Sequence, residues 1–289
     1  MRYYRFDSGG EPRLLGRDGD ELIDLTSANP DLRSLSQLLS AAEASGQSLD
    51  EAAEQLIGRA DPIEIDQLDH DAALPVVPDE VWAAGVTYEI SEQAREDESR
   101  LPEVYRDVYH SDRPELFFKA TSSRTVGPGE SIGVRKDSDW NVPEPELAVI
   151  LYDGSIVGYT IGNDVSSRAI EGENPLYLPQ AKIYERCCSI GPCFVPESMI
   201  DDPHDLEISM EIRRENEVVF DGITSTAQMV RRCDELVSYL KRSNVIPTIT
   251  VLLTGTSLVP PDAVSLKPDD VVEIQIESIG TLQNPVISV

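Results

Sequence analysis

The sequence predicts a β-rich α+β fold, and two observations lead to that prediction. From Val81 onward, short apolar segments separated by turn residues dominate the chain, and apolar residues alternate with polar ones over 206–212, as in a strand with one buried face. Helical periodicity interrupts this pattern clearly at 229–240, with Ser225 or Thr226 as the expected N-cap. Many strands with few helices indicate a β-rich α+β domain.

The chain is expected to divide into two parts. Residues 1–75 are predicted to form a small N-terminal α/β domain, and residues 76–289 a larger catalytic domain. The polar, proline-bearing stretch 69–78 is interpreted as the linker between them.

Four elements are predicted within the leading part. Short strands are expected at 2–6 and 21–24. A helix is expected to begin at the capping-box pair Ser48 and Glu51. An earlier helix is predicted from the apolar stripe Leu35, Leu38, Leu39 and Ala42.

The charge balance limits the possible partners and environments. There are 53 acidic residues against 24 basic ones, a formal net charge of -29, and the acids are dispersed along the chain. Such a surface repels nucleic acid and anionic membranes, so neither is an expected partner. Five lysines against nineteen arginines, with this charge, indicate a halophile whose salty cytoplasm screens the repulsion. An ordinary acidic enzyme is the alternative.

The remaining composition points to a cytoplasmic protein. No apolar run approaches the roughly 18 residues of a membrane span, and the first residues do not resemble a signal peptide. The four cysteines lack the spacing of a zinc site and are expected to be free and buried.

Two glutamates around residue 145 are the most informative local feature. Prolines stand on both sides of Glu144, so its backbone is extended, and Glu146 then points the same way because residues i and i+2 share a face. The apolar run 147–151 follows at once, which places the pair at the mouth of a buried sheet. Two such carboxylates repel each other unless a cation lies between them or one is protonated.

Asp164 is a candidate third carboxylate. If Asp153, Gly154 and Ser155 form a three-residue hairpin loop, residues whose numbers sum to 308 face each other, and Asp164 lies opposite Glu144. A two-residue loop would place Asp164 on the wrong face. Three oxygen ligands suit Mg²⁺ or Mn²⁺, whereas the alternative is a set of solvated surface acids.

Several motifs, in order over about 200 residues, resemble those of the fumarylacetoacetate hydrolase superfamily. Residues 163–168 read Asn-Asp-Val-Ser-Ser-Arg, similar to its NDVSAR signature, and residues 144–148 resemble its E-x-E-L-A metal motif. Further similarities lie at 85–88, at Lys182 with 188–192, at 254–256, at 266–273 and at 279–286.

The resemblance implies a fold and a site. It implies a fumarylacetoacetase-type mixed β-roll behind the small N-terminal domain, in a homo-oligomer such as a dimer or tetramer. It implies a Mg²⁺ or Mn²⁺ ion on Glu144, Glu146 and Asp164. The residues expected around a small 2-keto acid substrate are Arg168, Lys182, Gly255, Thr256 and Ser91.

Two departures from the family pattern favour chemistry without a water nucleophile. Many hydrolases of the family carry a histidine where this chain has Ser91, and glutamine is common where it has Glu171. Losing a base that activates water weakens the case for C–C bond hydrolysis. The segment 88–100, rich in charge, is either a lid over the substrate or a solvated helix.

Segments 114–121, 173–180 and 182–184 closely resemble the 2-keto-3-deoxy-D-arabinonate dehydratase branch. That resemblance implies dehydration of this 2-keto sugar acid to 2,5-dioxopentanoate, with Lys182, Glu115 and Glu171 as candidates for acid and base. The alternatives are an acylpyruvate hydrolase, an oxaloacetate decarboxylase or a non-catalytic sugar-acid sensor.

Overall fold

The computed structural model describes residues 1–8, 10–64, 68–88, 108 and 111–289. Its strands are β1 Arg2–Ser8, β2 Glu11–Asp18, β3 Glu21–Asp24, β4 Asp61–Pro62, β5 Glu80–Gly85, β6 Glu115–Ala120, β7 Thr125–Val126, β8 Ile132–Val134, β9 Asn141–Val142, β10 Pro145–Tyr152, β11 Ser155–Asp164, β12 Ser166–Ser167, β13 Cys188–Pro196, β14 Glu207–Arg214, β15 Glu217–Ser225, β16 Ile249–Leu253, β17 Val271–Ile276 and β18 Gly280–Ser288. Its α-helices are α1 Leu25–Ala28, α2 Leu35–Ser45, α3 Leu49–Ile57, α4 Leu68–Asp71, α5 Arg168–Glu173, α6 Leu178–Lys182 and α7 Cys233–Lys241. Short 3₁₀ helices lie at Ser122–Arg124, Pro175–Tyr177, Glu197–Met199 and Thr226–Gln228.

Two sheets organise the molecule. The larger sheet runs in the order β4-β3-β2-β1-β13-β11-β10-β16-β5-β6, with β7 beside β13. A five-stranded sheet has the order β15-β14-β17-β18-β8, and β9 pairs with β12. The β-rich α+β prediction is therefore confirmed.

Strand β10 shows how the layers pack, because its alternate residues enter different cores. Leu147, Val149 and Leu151 pack in one core with apolar residues of the five-stranded sheet and α7. Ala148 and Ile150 pack in the other core with residues of α2 and α3. The large sheet therefore lies between a helical layer and a second sheet, and burial on both faces explains the continuous apolar run 147–151.

The leading elements agree with their sequence patterns in most respects. The predicted stripe is buried in α2, and the capping box of Ser48 and Glu51 begins α3. Strand β2 was not predicted. The stretch 69–78 is packed rather than free, since Tyr4 and the backbone of Thr281 both donate hydrogen bonds to Asp69, at 3.1 and 3.2 Å. Strand β1 joins the large sheet beside β13, and the domain division at residue 75 stays a prediction.

The prediction for the start of α7 is wrong. The helix begins at Cys233, whose backbone N–H donates to His204 Nε2 at 3.2 Å, whereas Ser225 caps the 3₁₀ turn Thr226–Gln228. The reason is a tertiary contact, because Met229 forms a β-bridge with Tyr88 and the Val230 N–H donates to the Thr87 carbonyl at 2.9 Å, which pairs these residues with another segment.

Two expectations about the chain as a whole can be checked. All four cysteines are buried and free, as predicted. Within the described ranges, no helix has both the length and the hydropathy that crossing a bilayer would require.

Candidate metal centre and active site

The β10–β11 hairpin brings the three predicted carboxylates together at its open end. Glu146 pairs with Gly162 and Pro145 with Asn163, and the backbone N–H of Asp164 donates to the Glu144 carbonyl at 3.0 Å. One carboxylate oxygen from each of the three acids lies within 4.8 Å of the others, and all three side chains are buried. The predicted register, in which residue numbers sum to 308, is correct here.

The predicted route to that register is wrong. Tyr152 pairs with Ser155, so the loop has two residues, Asp153 and Gly154, both in the left-handed region with φ of 47° and 75°. A β-bulge then shifts the pairing by one residue, from Leu151 opposite Ile156 to Ile150 opposite Gly158. The bulge compensates for the shorter loop and returns the carboxylates to one face.

Backbone groups fix two of the carboxylates. The Glu144 N–H donates to Asn163 Oδ1 at 3.1 Å, and the Gly255 N–H donates to Glu146 Oε2 at 2.5 Å. Gly255 has φ of +91°, and a Cβ atom there would lie 2.0 Å from Thr87 Oγ1. Only glycine fits both the conformation and the space.

The electrostatics of the triad call for a cation. Burial, followed by the neighbouring charges of Asp164 and Glu144, raises the pKa of Glu146 well above its usual value. A cation between the three carboxylates would remove that repulsion.

Lys182 and Arg168 supply cations within the site. Lys182 Nζ, at the end of α6, lies 2.7 Å from Glu144 Oε2, 3.1 Å from Asp164 Oδ2 and 2.6 Å from Ser166 Oγ. Arg168, at the start of α5, pairs with Glu144 at 3.1 Å and lies 3.8 Å from Glu171. Lys182, Arg168 and Glu171 are therefore placed in one buried network with the triad.

Lys119 belongs to this network and was missed as a site residue. Its Nζ contacts Asp164 Oδ1 at 2.5 Å, and a bulge in the β5–β6 pairing occurs beside it. The sequence carried a signal, since Lys119 follows two phenylalanines in an apolar strand and is one of only five lysines. A lysine at such a place is rarely buried without a partner.

Glu115 lies at the edge of the network. It is half-buried at the start of β6 opposite Gly85, where a Cβ atom would lie 2.0 Å from the Glu115 carboxylate. Glu115 and Phe117 share a face of the strand, and the Phe117 ring centroid is 5.5 Å from Lys182 Nζ. Glu115 also lines a cavity of about 390 Å³ with Pro175 and others.

Of two further expected substrate contacts, Thr256 and Ser91, the structure describes Thr256. Thr256 is nearly buried, and its hydroxyl accepts the Leu258 N–H at 3.1 Å, one step along the chain from Gly255. Ser91 lies outside the described residues, as does the suggested lid 88–100 beyond Tyr88.

The donor set fits a hard divalent cation. The triad offers carboxylate oxygens and no sulfur or imidazole, and one backbone N–H holds Glu146 in place. Oxygen ligands of this kind suit Mg²⁺ or Mn²⁺ rather than zinc. Such an ion beside a lysine and an arginine could hold and polarise an anionic carbonyl compound.

Comparisons with known proteins agree with this geometry. The model of the fumarylacetoacetate (FAA) hydrolase C-terminal family matches residues 80–287. The chain belongs to this family. The match covers the hairpin, the triad, both buried lysines and the Gly255 loop, so the resemblance read from the motifs is confirmed.

Within this family, the chain is similar to several proteins named as sugar-acid dehydratases. A probable 2-keto-3-deoxyxylonate dehydratase of Haloferax volcanii is 56% identical over 289 residues, which is 100% of both chains. A 2-dehydro-3-deoxy-D-arabinonate dehydratase of Saccharolobus solfataricus is 49% identical over 217 residues, 73% of each chain. A solved 2-keto-3-deoxy-D-arabinonate dehydratase, complexed with magnesium and 2,5-dioxopentanoate, has a TM-score of 0.85 and 38% identity, covering 100% of this chain and 99% of that one.

Proposed function

We propose that this protein is a Mg²⁺-dependent hydro-lyase of pentose degradation, which converts 2-keto-3-deoxy-D-arabinonate, the compound also formed from D-xylonate, to 2,5-dioxopentanoate. The observation that carries the proposal is the buried triad with Lys182 among its oxygens, in a chain similar over its whole length to dehydratases of this substrate.

The triad residues are assigned to the metal. Glu144, Glu146 and Asp164 would hold Mg²⁺, and Mn²⁺ suits the same oxygens. When bound, the ion supplies Lewis-acid polarisation of the 2-keto acid. Arg168, which already pairs with Glu144, is placed to bind the substrate carboxylate. Gly255 and Thr256 border the site on the Glu146 side, and Ser91 stays a predicted contact.

Lys182 and Glu115 are assigned to proton transfer. Lys182 Nζ stands among the triad oxygens, where the keto end of the substrate would be held, so we assign it as the base at C3. Glu115 shares a face of β6 with Phe117, whose ring lies 5.5 Å from Lys182 Nζ, and it lines a cavity, so we assign it as the acid at the C4 hydroxyl. Glu171 lies beside Arg168 and is assigned to orienting that guanidinium.

The proton transfers balance. Loss of one hydrogen from C3 and the hydroxyl from C4 releases one water and leaves a C3–C4 double bond. A proton then leaves C5 and another is added at C3, which moves the double bond to C4–C5. Protonation of that enol at C4, with loss of the proton on its C5 oxygen, gives the C5 aldehyde, so the product is the substrate minus one water.

The working environment is also part of the proposal. A formal net charge of -29 is best tolerated in a cytoplasm of high salt, so we propose a cytoplasmic enzyme of a halophile. We propose a homo-oligomer, dimer or tetramer, which sedimentation in molar KCl would measure.

The test is an assay on 2-keto-3-deoxy-D-arabinonate in molar KCl with Mg²⁺, coupled to oxidation of the aldehyde product. Wild-type protein should show turnover that chelation of Mg²⁺ abolishes, and Lys182→Met and Glu115→Gln should each lower kcat by about 10²–10⁴-fold. In deuterated water, Glu115→Gln should still exchange the C3 hydrogens, whereas Lys182→Met should not.

Two outcomes would count against the proposal. Cleavage of acylpyruvates or decarboxylation of oxaloacetate, without dehydration, would place the chain in another branch of the family. Loss of C3 exchange in Glu115→Gln with exchange retained in Lys182→Met would reverse the acid and base.

A further inference from the structure

Lys119 is a buried ammonium with three oxygen atoms close to its Nζ. It is 0% exposed. Its Nζ donates to the Val165 carbonyl at 2.9 Å and the Lys182 carbonyl at 2.5 Å, and it pairs with Asp164 Oδ1 at 2.5 Å. Two of these three oxygens belong to main-chain carbonyls that the fold fixes. We therefore treat Lys119 as part of the framework of the site and assign it no proton transfer.

The two buried lysines differ in what holds them. Within the described part of the chain, the hydrogen-bond partners of Lys182 Nζ are three side chains, and two of these, Glu144 and Asp164, belong to the triad. Lys119 instead contacts two main-chain carbonyls, which the fold fixes, and the other oxygen of Asp164. One residue thus holds both Asp164 and the backbone of Lys182.

The network also has a defined charge. Among the described residues, the buried charged side chains outside Asp24 and Asp270 all belong to it: the carboxylates Glu144, Glu146, Asp164 and Glu171, and the cations Lys119, Arg168 and Lys182. Four carboxylates against three cations leave one net negative charge when all are ionised. A divalent metal would make the total +1, and a monoanionic keto acid would bring it to zero.

We propose that Lys119 is a positioning residue that fixes Asp164 and the main chain of Lys182, and that its permanent charge balances the site for one divalent cation plus one monoanionic keto acid. The inference rests on the proposed function for the identity of those two ligands. Without Lys119, the same count gives zero after the metal and -1 after the keto acid. Metal binding should then be favoured and keto-acid binding disfavoured.

The test compares Lys119→Met with the exposed-site control Lys136→Met. The affinity for Mn²⁺ is measured by calorimetry on purified protein without substrate. The affinity of the Mn²⁺-loaded protein for pyruvate, a monoanionic 2-keto acid, is measured by proton relaxation of water. Lys119→Met should bind Mn²⁺ at least about tenfold more tightly and pyruvate at least about tenfold more weakly, since a unit charge a few ångströms away at an effective dielectric of about 20 exceeds a factor of ten.

A variant that binds Mn²⁺ more tightly and pyruvate more weakly distinguishes a charge-balancing role from a purely structural one. If Lys119→Met weakened the binding of both ligands, the loss of the contact with Asp164 would outweigh the loss of charge, and the charge-balance role would be overturned. If both affinities matched those of Lys136→Met, the charge count would be wrong. In the expected case kcat also falls, because the main chain of Lys182 loses its contact with Lys119.

A second variant tests the charge count if Lys119→Met does not fold. Glu171→Gln removes one negative charge, so it should weaken Mn²⁺ binding and strengthen pyruvate binding, the reverse of Lys119→Met. Failure of either sign would overturn the charge count. If the variants change the two affinities as predicted but the wild-type protein does not dehydrate the sugar acid, the proposed function is refuted and the inference stands.

Discussion

The two ends of the β10–β11 hairpin both carry acidic residues, but in opposite settings. At the turn end, Asp153 is exposed and lines a groove of about 560 Å³ with acids that include Glu43 and Glu197, beside α2 and α3. At the open end, Glu144, Glu146 and Asp164 are at most 2% exposed. The same strands therefore present one set of carboxylates to solvent and another to the protein interior.

The two ends differ in what compensates the negative charge of their carboxylates. Exposed acids interact weakly because water and salt ions screen them. Buried acids cannot use solvent, so the fold must bring cations to them, and it supplies Lys119, Lys182 and Arg168 within hydrogen-bonding distance. A cluster of acids therefore indicates a functional site when it is buried and paired, and only a solvated surface when it is open.

The largest effect should come from exchanging an acid at each end for its amide. Asp164→Asn keeps the shape of the side chain but removes a charge from the triad, so Mn²⁺ affinity and kcat should each fall by more than the ~10–100-fold typical of residues that only support metal ligands. Calorimetry with Mn²⁺ and the coupled assay measure the two quantities.

Asp153→Asn at the turn end is the matched control. It removes the same charge from the same hairpin, and we expect Mn²⁺ affinity and kcat to stay within about twofold of wild type, because exposed charges contribute little. Wild-type Mn²⁺ affinity in Asp164→Asn would mean that the metal does not use this carboxylate.

A smaller effect should separate the glycines at the two ends. In Gly255→Ala, the new Cβ must fit against Thr87 at a positive φ, so the free energy of unfolding should fall by about 2–4 kcal/mol. Gly154→Ala has the same kind of φ but nothing nearer than 3.4 Å, and should cost about 1–2 kcal/mol. Urea unfolding measures both. Equal losses in the free energy of unfolding would show that Thr87 moves aside for the new Cβ at no cost.

The open end could be predicted well because its information is local. Glu144 and Glu146 share a face by strand geometry alone, and the family motifs extended the site to Asp164, Arg168 and Lys182. The apolar run after Glu146 also predicted a buried sheet, and the strand is buried along nearly its whole length. Periodicity and short motifs carry this kind of information directly.

What the sequence could not give depends on distant contacts. Three features each depend on contacts with another part of the chain: the bulge that sets the register, the bridge of Met229 before α7, and the acceptors of Lys119. Asp69 reads as part of a polar linker, yet it accepts a hydrogen bond from the backbone of Thr281. No local pattern records a partner more than 200 residues away.

The smallest predicted effect concerns salt. At the turn end, Asp153→Asn reduces repulsion among exposed acids and keeps a turn residue that favours the left-handed conformation. The free energy of unfolding at 0.1 M KCl should therefore rise by about 0.5 kcal/mol. In 1 M KCl the Debye length falls to about 3 Å, and the part of the gain due to charge should disappear.

At the open end, the effect of Asp164→Asn on stability should be nearly the same at both salt concentrations, because solvent ions do not reach the buried network. Urea unfolding of both variants at the two concentrations measures the contrast, and a salt dependence as large for Asp164→Asn as for Asp153→Asn would mean that the buried carboxylates are reached by solvent ions after all.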